Sequence, residues 1–204
     1  MEKLDSLANI PINSAVLKVC FGNLKYPKNK ISALEENGVL VRLKKDLYVN
    51  KKSNISKELI ANHLYGISYI SLQTALGYYG MIPERVYVVR SITTKRAKMF
   101  NTSLGNFEYK TVSAEYFCIG LRQEIIENQY AFLIAEPTKA VCDMIVSTPN
   151  LRIQSVKSMQ TYLEDDLRID FDVAKNLDKN IVSQCINVGK KKSELKLLLK
   201  YLSE

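Results

Sequence analysis

The chain has 204 residues, 47% of them hydrophobic and 25% charged, with 8 Gly, 5 Pro, 4 Cys and one His. That balance describes a folded protein with a real hydrophobic core in one large or two small domains, and it excludes disorder as the main state. No stretch approaches the roughly 20 uninterrupted apolar residues of a membrane-spanning helix, and Met1 to Ser6 lacks the basic-then-apolar layout of a signal peptide; a cytoplasmic protein without membrane association is expected.

The net charge of +8 is unevenly placed. Residues 1 to 55 hold 10 basic and 5 acidic side chains, residues 56 to 174 hold 12 and 13, and residues 175 to 204 hold 7 and 3. Basic ends on a neutral body fit a module that meets a polyanion, joined to one with another task; a lysine-rich solvated surface is the plain alternative.

In chain order, Pro11-Ile12-Asn13-Ser14 offers capping side chains, and Ala15, Val16, Val19 and Cys20 recur at helical spacing until Phe21-Gly22-Asn23. Pro27 opens a second helix with Ile31 and Leu34 facing inward and Gly38 as its stop. At 100° per residue the opposite side carries Asn29, Ser32, Ala33 and Glu36, flanked by Lys28 and Lys30. Glu35 and Glu36 would repel phosphates, so a nucleic acid is expected at the N-terminal half, Lys25 to Ser32, where the helix dipole is positive. Val39 to Leu43, the polar Lys44-Lys45-Asp46 and Leu47 to Asn50 then read as a β-hairpin with a basic tip. Val39, Val41 and Leu43 are expected to cover the helices, while Arg42, Lys44 and Lys45 reach outward.

Helix, helix, hairpin is the order of a winged helix-turn-helix, assigned to residues 1 to 52. In that arrangement Asn29 and Ser32 read base edges in the major groove of double-stranded DNA, and Lys25, Lys28, Lys30, Lys44 and Lys45 neutralise phosphates. RNA is the weaker expectation, because duplex RNA hides its major groove and no strand motif with paired aromatics is visible.

Residues 53 to 204 read as a mixed α/β domain, which makes the whole chain α+β. Ser56 to Tyr65 is expected to be a helix, and its lone His63 is given a structural or solvent role. Another helix, capped near Ser71 and ended at Gly80, precedes expected strands at Val86 to Ile92, Phe107 to Val112, Phe117 to Leu121 and Tyr130 to Ala135. Lys95, Arg96 and Lys98 form a possible second basic patch, extending the phosphate contact or facing a partner. After Gly189-Lys190-Lys191-Lys192-Ser193, the residues Leu195, Leu198, Leu199 and Leu202 mark an amphipathic helix expected to pack on its own domain.

Tyr69 to Glu84, Thr93-Thr94-Lys95-Arg96, Leu104-Gly105-Asn106-Phe107-Glu108-Tyr109 and Tyr130 to Asp143, with its Pro137-Thr138-Lys139-Ala140-Val141-Cys142-Asp143, resemble the AbiEi-type antitoxins of abortive-infection systems. The resemblance runs in order from about residue 10 to about residue 170. Asp46 stands where such proteins more often have glycine, and Thr138 where glutamate is commoner. It implies a repressor whose N-terminal winged helix binds inverted repeats in its own promoter, and a second domain that counteracts a nucleotidyltransferase-like toxin without a stable complex.

No enzyme, cofactor or metal is expected. Asp170 and Asp172 are the only tempting pair for Mg²⁺-dependent nucleotidyl transfer, but residues 147 to 163 contain no glycine for a triphosphate loop. Phosphate-binding, dinucleotide-binding and serine-elbow motifs are absent. Cys20, Cys118, Cys142 and Cys185 are scattered and read as reduced core thiols. A nucleotidyltransferase-like enzyme and a solitary regulator whose second domain holds a small ligand remain the alternatives.

Overall fold

The structure, a computed structural model, describes residues 9–52 and 55–204. Residues 1–8 and 53–54 lie outside the described residues, and with them the leader reading at Met1 to Ser6 and the expected domain boundary after residue 52.

Strand β1 (Ile12–Asn13) passes directly into helix α1 (Ser14–Cys20) because the Asn13 side chain accepts the Val16 amide at 2.8 Å. Helix α2 (Pro27–Glu36) begins on the expected proline and buries Ile31 and Leu34. Gly38, at φ +66°, turns the chain into the hairpin of β2 (Leu40–Lys44) and β3 (Leu47–Asn50). The three strands form an antiparallel sheet in the order β1-β3-β2. At the tip, Asp46 adopts φ +63°, a left-handed conformation that aspartate tolerates. Its carbonyl accepts the Ser14 amide at 3.0 Å and its carboxylate the Ser14 hydroxyl at 2.8 Å, so the tip is tied to the start of α1.

Val39 packs against the helices as expected, but Val41 and Leu43 do not. Leu40 and Tyr48 cover the helices, in one cluster with Ile12, Leu17, Ile31 and Leu34. Leu43, Leu47 and Val49, with Val41 beside them, belong instead to the large core that contains Ile60, Ala61 and Leu64. Every residue of β3 is buried because the hairpin is covered on both sides, so its sequence carries no alternation to fix which face turns where.

The rest of the chain builds a six-stranded mixed sheet and its helices. Helix α3 (Lys57–Tyr65), capped by Ser56, leads to β4 (Ser68–Ile70) and α4 (Leu72–Tyr78). Then come β5 (Val88–Thr93), β6 (Lys98–Thr102), β7 (Gly105–Thr111), the single turn α5 (Ala114–Phe117), β8 (Leu121–Ile126) and β9 (Tyr130–Ala135). Helix α6 (Pro137–Ser147) follows, then α7 (Val156–Thr161) with a π turn at Tyr162–Asp166, α8 (Phe171–Lys175), α9 (Lys179–Val188) and α10 (Lys192–Tyr201). The strand order is β6-β7-β5-β4-β9-β8, with β5/β7 and β4/β9 parallel and the other pairs antiparallel. The fold is thus mixed α+β, and among the described residues no helix is long and apolar enough to cross a membrane. The strand expected at Phe117 to Leu121 is a correction: Ser113 caps a helical turn there, and the strand starts only at Leu121. The final helix packs on its own unit as expected, with Leu195, Leu198, Tyr201 and Leu202 buried.

Helix α6 carries a charge pair with no exposure to water. Lys139 Nζ lies 2.6 Å from Asp143 Oδ1, one helical turn on, and donates to the Tyr69 hydroxyl at 2.9 Å. The Ser71 hydroxyl donates to Asp143 Oδ2 at 2.6 Å, and the Tyr116 ring centroid lies 3.4 Å from the ammonium. Burial, followed by the Asp143 charge, pushes the Tyr69 and Tyr116 hydroxyls well above the ordinary phenol range. Leu72, beside Ser71, is held at φ +56°, a strained angle for a branched side chain.

A carboxylate left in this position without its ammonium keeps the Ser71 hydroxyl but loses the charge that offsets its missing hydration. Lys139→Met is expected to cost about 3–5 kcal/mol in denaturant unfolding, and Asp143→Leu added to it should recover part of that loss.

Candidate nucleic-acid interface

The N-terminal half of α2 is the first part of the site. Tyr26 precedes it without a side-chain cap, Pro27 has no amide N–H, and the Asn29 amide donates to the Tyr26 carbonyl at 3.2 Å. Lys25, Lys28, Asn29, Lys30 and Ser32 are all exposed, with Lys25 Nζ 5.5 Å from the Tyr26 ring centroid. Pro27 and the inward pull of Ile31 and Leu34 fix which face these side chains take.

Arg42 is exposed, as expected, but it has partners of its own. Reversal of the hairpin faces puts it on the helix side, where it donates to the Tyr48 hydroxyl at 3.0 Å and lies 3.6 Å from Glu35. It links the hairpin to Glu35 of α2.

The tip residues Lys44 and Lys45 form the second part. Lys45 is exposed and Lys44 half-buried. Burial of its stem, then the charges of Lys95 and Lys98, hold the Lys44 ammonium below the ordinary lysine range. The charges of the second basic patch, which lies far along the linear sequence, are thus felt at the hairpin tip.

That patch sits on an aromatic seat. Lys95 and Lys98 lie 5.4 and 5.6 Å from the Tyr65 ring centroid, and Lys98 is 4.6 Å from that of Phe100. Lys95 Nζ also donates to the Tyr65 carbonyl at 3.1 Å, and the Tyr65 hydroxyl to the Arg96 carbonyl at 3.0 Å. Gly66 follows at φ +87°, a backbone conformation that favours glycine, with Lys95 Nζ close above it. His63, on the outer side of α3, titrates below its ordinary value because of burial and then the Lys44 charge.

Among the described residues, none of Lys25, Lys28, Lys30, Lys44, Lys45, Lys95, Arg96 and Lys98 has a salt-bridge partner. Sequence reasoning does not mark Tyr65, Gly66 or Phe100 as site residues, since nothing in the linear pattern makes Tyr65 a neighbour of a lysine thirty positions later. Asp170 and Asp172 are exposed at the start of α8. No group of three or more His, Cys, Asp or Glu among the described residues is arranged to hold a metal ion. Of the four free cysteines only Cys142 and Cys185 are core thiols; Cys20 is half-buried and Cys118 exposed, the latter two a correction.

The cation cluster predicts a titration. Lys44→Gln removes a positive neighbour, so the His63 imidazole should titrate at higher pH than in the parent chain, as read by NMR on this single histidine. The sign follows from linkage: a histidine held below its unfolded value of 6.5 costs the folded state stability on acidification, and the variant should lose less. The sequence matches no protein-family model and no curated protein.

Proposed function

We propose that this chain is a DNA-binding transcriptional regulator of the winged helix-turn-helix kind, with α2 as recognition helix and the β2–β3 hairpin as wing. In this reading it is the antitoxin of an abortive-infection pair: it represses its own operon through an inverted-repeat operator and counteracts a nucleotidyltransferase-like toxin.

The observation that carries the DNA reading is the exposed N-terminal half of α2, where Lys25, Lys28 and Lys30, without ion-pair partners among the described residues, surround Asn29 and Ser32. Like charges brought together without a carboxylate cost stability, and a phosphate backbone would offset that cost. Asn29 and Ser32, exposed on the helix between flanking lysines, are suited to base edges. Arg42, engaged by Glu35 and Tyr48, keeps the wing in register rather than touching DNA.

The antitoxin part rests on the resemblance. One of the stretches that carry it, Pro137 to Asp143, is the helix with the buried pair, so this part of the resemblance speaks for a shared architecture more than for a shared partner surface.

Binding to DNA from upstream of the gene, followed by fluorescence anisotropy against salt, tests the reading. Lys28→Ala with Lys30→Ala should weaken binding to every sequence and flatten the salt slope by about 0.9 for each phosphate no longer neutralised. Asn29→Ala should cost about 1–3 kcal/mol at one base pair and little on random DNA; an equal weakening on both removes the base-reading role. Co-expression should relieve growth arrest by a nucleotidyltransferase-like toxin from a neighbouring gene, and its failure would remove the antitoxin part alone.

A further inference from the structure

Beyond the end of β7 the fold leaves a cavity of about 290 Å³ lined by Lys110, Val112, Ser113, Tyr116, Ser147 and Lys190 among others. We infer that this cavity binds a small phosphomonoester, a sugar phosphate or nucleoside monophosphate, with Lys110 and Lys190 at its phosphate and the Tyr116 ring and the valines against its body. The inference does not rest on the DNA reading.

The charge of the lining comes first. Two lysines contribute to the wall and no acidic residue does, although Asp and Glu make up 21 residues of the chain. Lys110 Nζ has only a long hydrogen bond, 3.4 Å, to the carbonyl of Ser147 in the last turn of α6, and Lys190 is exposed with no ion pair among the described residues. Lysine ammoniums with the hydroxyls of Ser113 and Ser147 supply donors from several directions, which suits a tetrahedral dianion. A planar carboxylate is better matched by an arginine fork, and the lining contains no arginine.

Shape sets the size. Ligand pockets run from roughly 300 to 1,000 Å³, so this one suits one small metabolite and is too small for a dinucleotide or a nucleic-acid strand. Val112, Val146, Val188 and the Tyr116 ring give it an apolar side. That side is closely built: a Cβ on Gly189 would meet the Cys185 carbonyl oxygen at 2.5 Å and the Tyr116 ring at 2.9 Å, so only glycine lets the end of α9 close against the ring. Thr111, in the same lining, donates its hydroxyl to the Lys95 carbonyl at 2.7 Å, so the cavity and the basic loop share a strand end.

Isothermal titration calorimetry of the full chain with adenosine monophosphate, glucose 6-phosphate, inorganic phosphate and adenosine tests the assignment. Saturable one-to-one binding is expected for at least one of the two phosphomonoesters, weaker for inorganic phosphate and absent for adenosine. Lys110→Ala and Lys190→Ala should each weaken it by about tenfold. Val188→Phe, at a site 41% exposed and therefore tolerant of bulk, should block it with the melting temperature unchanged. Lys95→Ala with Lys98→Ala should leave it intact. No saturable binding by either phosphomonoester, binding indifferent to Lys110 and Val188, or an equal weakening in the Lys95 and Lys98 variant would each overturn the inference, the last by assigning the effect to general electrostatics at the basic patch.

Discussion

Lys139 and Asp143 are wholly shut off from water, and a charge pair so placed is stable only while its remaining donors and acceptors have partners. Those partners come from distant parts of the chain: Tyr69 at the centre of β4, Ser71 ahead of α4 and Tyr116 on α5. Satisfying one ion pair therefore fixes α6 against the middle of the six-stranded sheet and both neighbouring helices. Gly120, at φ +55°, answers the same demand, since a Cβ there would stand 2.9 Å from that of Lys139. The strained backbone at Leu72 is retained because Ser71 is tied to Asp143 and the leucine side chain is 2% exposed.

Where local chemistry decides, the sequence is a good guide. Asn13 and Pro27 start their helices as their side chains require, Ser56 caps α3, and Tyr130 to Ala135 is a strand to the residue. It fails where tertiary cover decides. Periodicity turns the wrong face of the hairpin inward because burial on both sides erases period-two contrast. Strand β6 escapes notice because Lys98, Met99 and Asn101, exposed on an edge, read as a loop. Strand β4 spans only three residues and lies between two helices, too short for a pattern.

The candidate interface divides in the same way. The face of α2 is legible from helical periodicity, because Ile31 and Leu34 leave Lys28, Asn29 and Ser32 only one way to turn. The influence of the Lys95 and Lys98 charges on Lys44 is not, because it depends on how distant parts of the chain pack. Aromatic rings underneath make those charges tolerable: Tyr65 and Phe100, 5.4 Å apart, present electron-rich faces to the ammoniums where ion pairs would have cancelled the positive field.

The hairpin's second buried face has a mechanical consequence. Leu43, Leu47 and Val49 are shared with the core around Ile60 and Leu64, so the first unit is not hung on a linker but cemented to the sheet. Any partner gripped by α2 is held at a fixed attitude to the remainder of the molecule, with no tether to take up slack, and a torque applied at one end is felt at the other.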